Sequence, residues 1–293
     1  MSDFVQQQHT ICNFSNEESW VILSPIEQSI KQKIESVGTP LKDWDIKIYR
    51  GVLTGFNDAF IISTEKRDEI LANCQTEEER IRTAELIRPI LRGRDIKRYG
   101  YNWADLWLIA TFPSRHYDIE MYPAVKAHLL SFGKERLEQT GKKYLINGEE
   151  IKARKKTSNK WFETQDSISY WDDFLLPKLI YPETTQGAFF AYDETGLFLD
   201  KTCFMMISKH ARYLQATLSS QLFEFAYKRI FSSVELGQHG FQYNKHALIK
   251  LPVKKFNESD SVAYSDEFFY NYYGITNEEI EYIINTIQSP QNQ

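Results

Sequence analysis

The chain has 293 residues, is 42% hydrophobic and 26% charged, and carries a formal net charge of -5, the composition of an ordinary globular protein with room for one large domain or two small ones. The acidic balance excludes a global basic field, so any nucleic-acid function must rest on local patches. Cys12, Cys74 and Cys203 are odd in number and form no CxxC pair, against both a disulfide framework and a zinc site, and with neither a signal-like N-terminus nor an apolar run near the ~18 residues of a membrane span, a cytoplasmic chain is predicted.

Residues 1–19 read as a lead without pattern. Ser24-Pro25-Ile26-Glu27 then supplies an N-cap, a helical first-position proline and a capping glutamate, and Ile26, Ile30, Ile34 and Val37 continue at helical spacing until Gly38. Ile46 and Ile48 alternate with polar neighbours, and Ala59-Phe-Ile-Ile62 predicts a second strand beyond the Gly51 and Gly55 punctuation. Thr76 with Glu79 opens a helix that must finish before Pro89. Trp107–Thr111 reads as a buried strand, 118–139 as helical, and Asn147-Gly148 as a hairpin turn. After a basic connector at 152–160, the segment 168–207 predicts strands with a hairpin at Asp193–Gly196, and Lys209–Ile230 a single helix. From Phe256 onward seven acidic residues stand without one Lys or Arg; phosphate would repel this helical tail, which is expected to face away from DNA. The order is not repeated βαβ, so the fold class is α+β, a largely antiparallel recognition lobe with packed amphipathic helices. The expected units are 20–255, with sub-lobes 20–140 and 160–255, and the tail 256–293.

Positive charge gathers in two windows: Arg88, Arg92, Arg94, Lys97 and Arg98 against Asp95, and Lys142, Lys143, Lys152, Arg154, Lys155, Lys156 and Lys160 against Glu149 and Glu150. Either suits phosphate or base-edge contacts, and either also suits a solvated face. Gly51 and Gly55 fit both a close approach to phosphate, with Arg50 and Asn57 beside it, and plain turn geometry. Catalytic motifs are missing: no HxH or HExxH pair, no GxSxG elbow, and no glycine-rich phosphate loop occurs. Asp45-Ile-Lys47, Asp95-Ile-Lys97 and Glu150-Ile-Lys152 match the closing Asp/Glu-x-Lys of some metal-dependent endonucleases, but 40 acidic residues and 22 lysines give three such matches by chance. A metal site also needs a second converging carboxylate. A protein-interaction module is a further alternative.

The runs YRGVLTGFNDAFIIS, LIRPILRGRDIKRYGYNWADLWLIATF, KWFETQDSISYWDDFLLPKLIYPE, FAYDETGLFLDKTCFMMIS, and RYLQATLSSQL with LIKLPV follow one another in the order seen in a known family. Over roughly 20–253 the chain resembles the TaqI-like C-terminal specificity domain, the target-recognition region of type II restriction-modification enzymes and related DNA adenine methyltransferases. The resemblance implies double-stranded DNA as partner and a methyltransferase or endonuclease domain or subunit elsewhere, since the Asn-Pro-Pro-Tyr-type motif of the methylating domain is missing. It implies S-adenosylmethionine and Mg²⁺ for that parent or partner enzyme and none for this chain. The DNA contacts it implies are Arg50, Thr54, Asn57, Arg92, Arg94, Lys97, Arg98, Arg154, Lys155, Lys156, Lys160 and Lys178.

Overall fold

The computed structural model describes residues 23–232, 235–236, 240–255 and 264–288. The lead expected at 1–19 and the start of the acidic stretch at 256–263 lie outside them. Helix α1, Pro25–Val37, begins on the capping box the sequence announces: Ser24 Oγ accepts from the Glu27 N–H at 3.4 Å, and Glu27 Oε2 accepts from the Ser24 N–H at 2.8 Å. Its Ile30 and Ile34 are fully buried. Strand β1, Lys47–Arg50, follows. The expected second strand is shorter than predicted, because Asn57–Phe60 is one helical turn and only Ile61–Ser63 (β2) is extended. Thr54 Oγ1 causes the turn by donating to Asn57 Oδ1 at 2.7 Å while accepting from the Phe56 N–H at 3.2 Å.

Helices α2, Thr64–Ala72, and α3, Glu77–Leu86, come next, and α3 ends before Pro89 as expected. Strands β3, Ile87–Leu91, and β4, Leu106–Ile109, flank the Gly93–Asp95 3₁₀ turn. The helical pattern of 118–139 is broken: helix α4 covers Pro123–Leu130 and a short turn Lys134–Leu137, separated at Gly133, whose φ of 85° leaves the helical region. The Asn147-Gly148 hairpin is present, joining β5, Lys143–Ile146, to β6, Glu149–Lys152; both turn residues have positive φ, as a two-residue hairpin loop requires.

Strands β7, Lys178–Pro182, β8, Thr184–Thr185, β9, Ala191–Asp193, β10, Phe198–Leu199, and β11, Cys203–Ile207, complete the centre. The hairpin expected at Asp193–Gly196 is instead a corner between sheets. β9 pairs with β7, whereas β10 runs parallel to β3 in another sheet. Asp193 holds the corner by accepting from Thr195 N–H at 3.0 Å, Thr195 Oγ1 at 2.7 Å and Leu197 N–H at 3.0 Å. The single helix predicted over Lys209–Ile230 is split into α5, Ala211–Ser219, and α6, Gln221–Ala226. Ser220 is extended between them and caps the second, accepting from the Phe223 N–H at 3.3 Å. Helices α7, Asp266–Tyr272, and α8, Asn277–Gln288, close the chain.

The fold is α+β. A four-stranded antiparallel sheet in the order β9-β7-β11-β1 divides two hydrophobic cores. Period-2 alternation sends Leu179, Tyr181, Met206 and Ile48 into one core and Ile180, Ala191, Met205 and Cys203 into the other. The first core is closed by α1, α5, α6 and the tail residues Phe269, Tyr273 and Ile283. The second packs on the sheet β10-β3-β4-β2 and on α4.

Candidate nucleic-acid interface

Where the two sheets meet, the chain leaves β1 at Gly51. The Gly51 N–H donates to Cys203 O at 2.8 Å and the Val52 N–H to Leu199 O at 2.7 Å. A Cβ on Gly51 would stand 2.0 Å from Asp200 O, so this glycine admits a neighbouring strand and not a phosphate. Gly55, at φ 80°, lies against Gln165 and Arg154. Both glycines of the opening loop thus serve the fold.

Beside this junction is a cleft of about 690 Å³. Its lining comes from distant segments: Asn57; Arg92, Gly93, Arg94, Ile96 and Lys97; Pro182 through Gln186 with Phe189; and Asp200 with Thr202. The 3₁₀ turn on its wall is clamped twice. Arg92 grips Asp95 with two parallel bonds of 2.9 Å, and the Gly93 N–H donates to Thr202 Oγ1 at 2.9 Å. Burial works to raise the Asp95 carboxyl, but the Arg92 guanidinium and backbone N–H outweigh it and hold its pKa below the usual value. The same bond raises the Arg92 pKa. Arg94 and Lys97 remain exposed; Lys97 Nζ donates to Arg94 O at 2.9 Å, and neither has an ion-pair partner among the described residues.

Arg50 lies next to the cleft through Glu183, 2.6 Å from its Nη2, and donates from Nε to Lys201 O at 2.9 Å. Its side chain is 52% exposed, so water screens this pair heavily and a phosphate can compete for the guanidinium. Tyr170 fixes its backbone, donating to Arg50 O at 2.9 Å while stacking on Tyr49 at 4.3 Å. Burial, helped by nearby Asp166, pushes the Tyr170 hydroxyl up to about 12, so it stays a donor.

Four expected contacts are buried or paired within the chain. Lys178 is fully buried, bonded at 2.5 Å to Asp193 Oδ2 and to Phe174 O; desolvation lowers its pKa against the pull of Asp193. Arg154 is 5% exposed and donates to four carbonyls: Leu137 at 2.7 Å, Thr54 at 2.9 Å, Glu163 at 2.8 Å and Trp161 at 2.6 Å. Desolvation, opposed by Glu163, pushes its pKa down to about 10, which still leaves it charged at neutral pH. Thr54 is fully buried as the staple of its turn. Arg98 turns away from the cleft to buried Glu224, which Lys228 also contacts at 2.7 Å.

Lys155, Lys156 and Lys160 are exposed on the basic connector and do not line the cleft. The twelve expected contacts therefore divide. Arg50, Asn57, Arg92, Arg94 and Lys97 come together at or beside the cleft, and the connector lysines form a separate exposed stretch. Gln186, Thr184, Phe189 and Thr202 were missed by sequence reasoning. Their only signal was that Glu183–Gly187 and Asp200–Thr202 are polar turns between apolar strands.

The Asp/Glu-x-Lys matches do not converge. Asp45 is exposed before β1, Glu150 faces Lys143 at 2.8 Å on the β5–β6 hairpin, and both Asp95 oxygens are held by Arg92. Glu183 and Asp200 reach the cleft, but no group of three or more His, Cys, Asp or Glu able to hold a metal ion stands together among the described residues.

An α+β module with a polar, partly cationic cleft at the junction of two sheets is the class that this geometry defines. The TaqI-like C-terminal specificity domain matches residues 88–253, more than half of the chain, and the chain belongs to that family. Two solved structures are similar in fold. The type IIG restriction endonuclease BpuSI has a TM-score of 0.50 at 13% identity, with 86% of this chain and 28% of that chain covered. The type IIL restriction-modification enzyme MmeI, solved in complex with DNA, has a TM-score of 0.50 at 13% identity, with 85% and 36% covered. The chain thus spans about a third of these enzymes. No curated protein matches it.

Proposed function

We propose that this chain recognises a short site on double-stranded DNA as the specificity part of a restriction-modification enzyme. Adenine methylation or strand cleavage is assigned to another domain or chain, and S-adenosylmethionine and Mg²⁺ are assigned there with it. The observation that carries the reading is the cleft: built mostly from the span matched by a specificity-domain family, it gathers Arg92, Arg94 and Lys97, the last two without an ion-pair partner among the described residues, with Arg50 beside them. Lys and Arg position a protein on phosphates, and two-pronged side chains read base edges. No described helix is long and apolar enough to cross a membrane, and DNA recognition of this kind belongs in the cytoplasm.

Fluorescence anisotropy with a labelled duplex, titrated across salt, tests the reading. Without its partner the chain is expected to bind in the non-specific range, about 10⁻⁴ to 10⁻⁶ M, with log affinity falling linearly against log salt. Lys97→Ala is expected to lower the slope by about 1, the share of a single neutralised phosphate, whereas Lys178→Met should leave the slope of the folded fraction unchanged. No binding to duplex even at low salt overturns the proposal.

A further inference from the structure

Four side chains lining the cleft are two-pronged and so able to make the paired hydrogen bonds that discriminate bases: Asn57, Arg92, Arg94 and Gln186. Two of them are already engaged. Both arms of the Arg92 guanidinium are on Asp95, and Asn57 Oδ1 accepts from Thr54 Oγ1. The side chains of Arg94 and Gln186 are exposed and have no hydrogen-bond partner among the described residues, while the backbone beneath each is pinned. Arg94 O accepts from Lys97 Nζ, on a turn clamped by Arg92–Asp95 and by Thr202. Gln186 O accepts from Lys228 Nζ at 3.1 Å, and Thr185 Oγ1 ties the next residue by donating to Gly187 O at 2.8 Å. A free head on a fixed base is the arrangement a reader needs, because binding then orders only one side chain.

Building on the DNA-recognition reading above, we propose that Arg94 and Gln186 are the specificity-determining residues of the cleft, Arg94 taking a guanine and Gln186 an adenine through the major groove, with Lys97 on an adjacent phosphate. The guanidinium fork matches guanine O6 and N7, and the carboxamide matches adenine N7 and N6. Lys97, a single ammonium lying on Arg94 O, supplies a point charge suited to a phosphate. The volume of about 690 Å³ is of small-ligand size. It is too small to take in a duplex, so the exposed heads of Arg94 and Gln186 are the ones able to meet base edges outside it.

The test is selection of a duplex library with a randomised core by the full chain, followed by sequencing of the bound fraction. The wild type is expected to enrich a motif holding at least one guanine and one adenine. Arg94→Ala should lose the guanine preference by about ten-fold or more, with Arg94→Lys keeping part of it because an ammonium also reaches guanine O6 and N7; Gln186→Ala should lose the adenine preference. Lys97→Ala should weaken binding to all members alike. If the wild type binds duplex but enriches no motif, or if Arg94→Ala and Gln186→Ala return the wild-type motif, this assignment is wrong while DNA binding stands. If the wild type itself enriches nothing and binds no duplex, both fall.

Discussion

A buried guanidinium that no described carboxylate bonds directly needs carbonyls placed around it, and Arg154 has them from Thr54, Leu137, Trp161 and Glu163. These four carbonyls belong to three segments that no strand pairing joins, so the side chain acts as the bolt between the opening loop and the connector. Lysine cannot replace it, since three donors on one nitrogen do not reproduce a planar five-donor fork. Arg154→Lys and Arg154→Met are both expected to cost about 3 kcal/mol or more, because each leaves buried carbonyls unpaired, and thermal melts should show both as falls of several degrees. A loss under about 0.5 kcal/mol would mean that water fills the site. The sequence shows Arg154 as one cation of a basic run, indistinguishable from Lys155 and Lys156, and burial separates them only once residues 54 and 163 arrive from elsewhere. Lys178 is the same case, its carboxylate lying fifteen residues away on Asp193. The exposure of Arg94 and Lys97 follows from local sequence, because a turn opened by glycine and held by the nearby Arg92–Asp95 pair leaves them at the surface.

Elements whose signals are local could be read before the fold was known. The Ser24–Glu27 box and the Asn147-Gly148 turn each close within four residues, so nothing distant can override them. Ser220 and the Asp193 corner escaped the same reading: buried Ser220 donates to Thr217 O at 2.6 Å while accepting from the Phe223 N–H, which ends one helix and caps the next, and the turn after Asp193 becomes a crossing because its flanking strands pair in different sheets. Gly51 marks such a crossing, and Gly51→Ala would drive a Cβ into a backbone carbonyl that cannot rotate away. The expected loss is about 3 kcal/mol, at the upper end of overpacking costs. Gly100→Ala, with nothing within 4 Å of its Cβ, is the control and should stay within about 0.5 kcal/mol by urea denaturation. Helix α4 meets the 57–60 turn through His128, whose Nε2 lies 3.0 Å from Ala59 O. A carbonyl only accepts, so that nitrogen carries the proton. Burial, the larger influence, lowers the His128 pKa against the help of this carbonyl. The folded state therefore prefers the neutral ring. Its contribution to stability is complete above the unfolded value of about 6.5 and is lost as pH falls through the lower folded value. His128→Gln, which keeps a donor without titrating, should lose less stability than wild type between pH 7 and pH 5. Parallel urea midpoints for the two proteins across that range would remove His128 from the acid response.

At the scale of the whole molecule, the decisive feature is a central sheet with an apolar core on each face. Ile48, Leu179, Tyr181 and Met206 cannot leave the first core without moving Ile180, Met205 and Cys203 out of the second, since they alternate on the same strands. The tail joins this arrangement: Ile283 is fully buried in the first core, and Glu279 bonds Ser29 at 2.7 Å and Lys33 at 2.6 Å on α1. Burial would raise the Glu279 carboxyl, but Lys33, the Thr276 N–H and Ser29 together hold it below the usual range. The two cores are therefore expected to open as one cooperative unit. Cys203 reports on the second core, because it is fully buried and its thiol is pushed up by burial and by Asp200 beside it. Ile283→Ala, a cavity in the first core far along the chain, is expected to cost about 2–4 kcal/mol. In a background carrying Cys12→Ser and Cys74→Ser, labelling of Cys203 by a thiol reagent should then accelerate by the same factor as the loss of global stability, roughly 30-fold or more at 2 kcal/mol, where opening is fast relative to labelling. Labelling that keeps its wild-type rate while the urea midpoint falls would show that the second core, with the 3₁₀ turn it carries to the cleft, opens on its own.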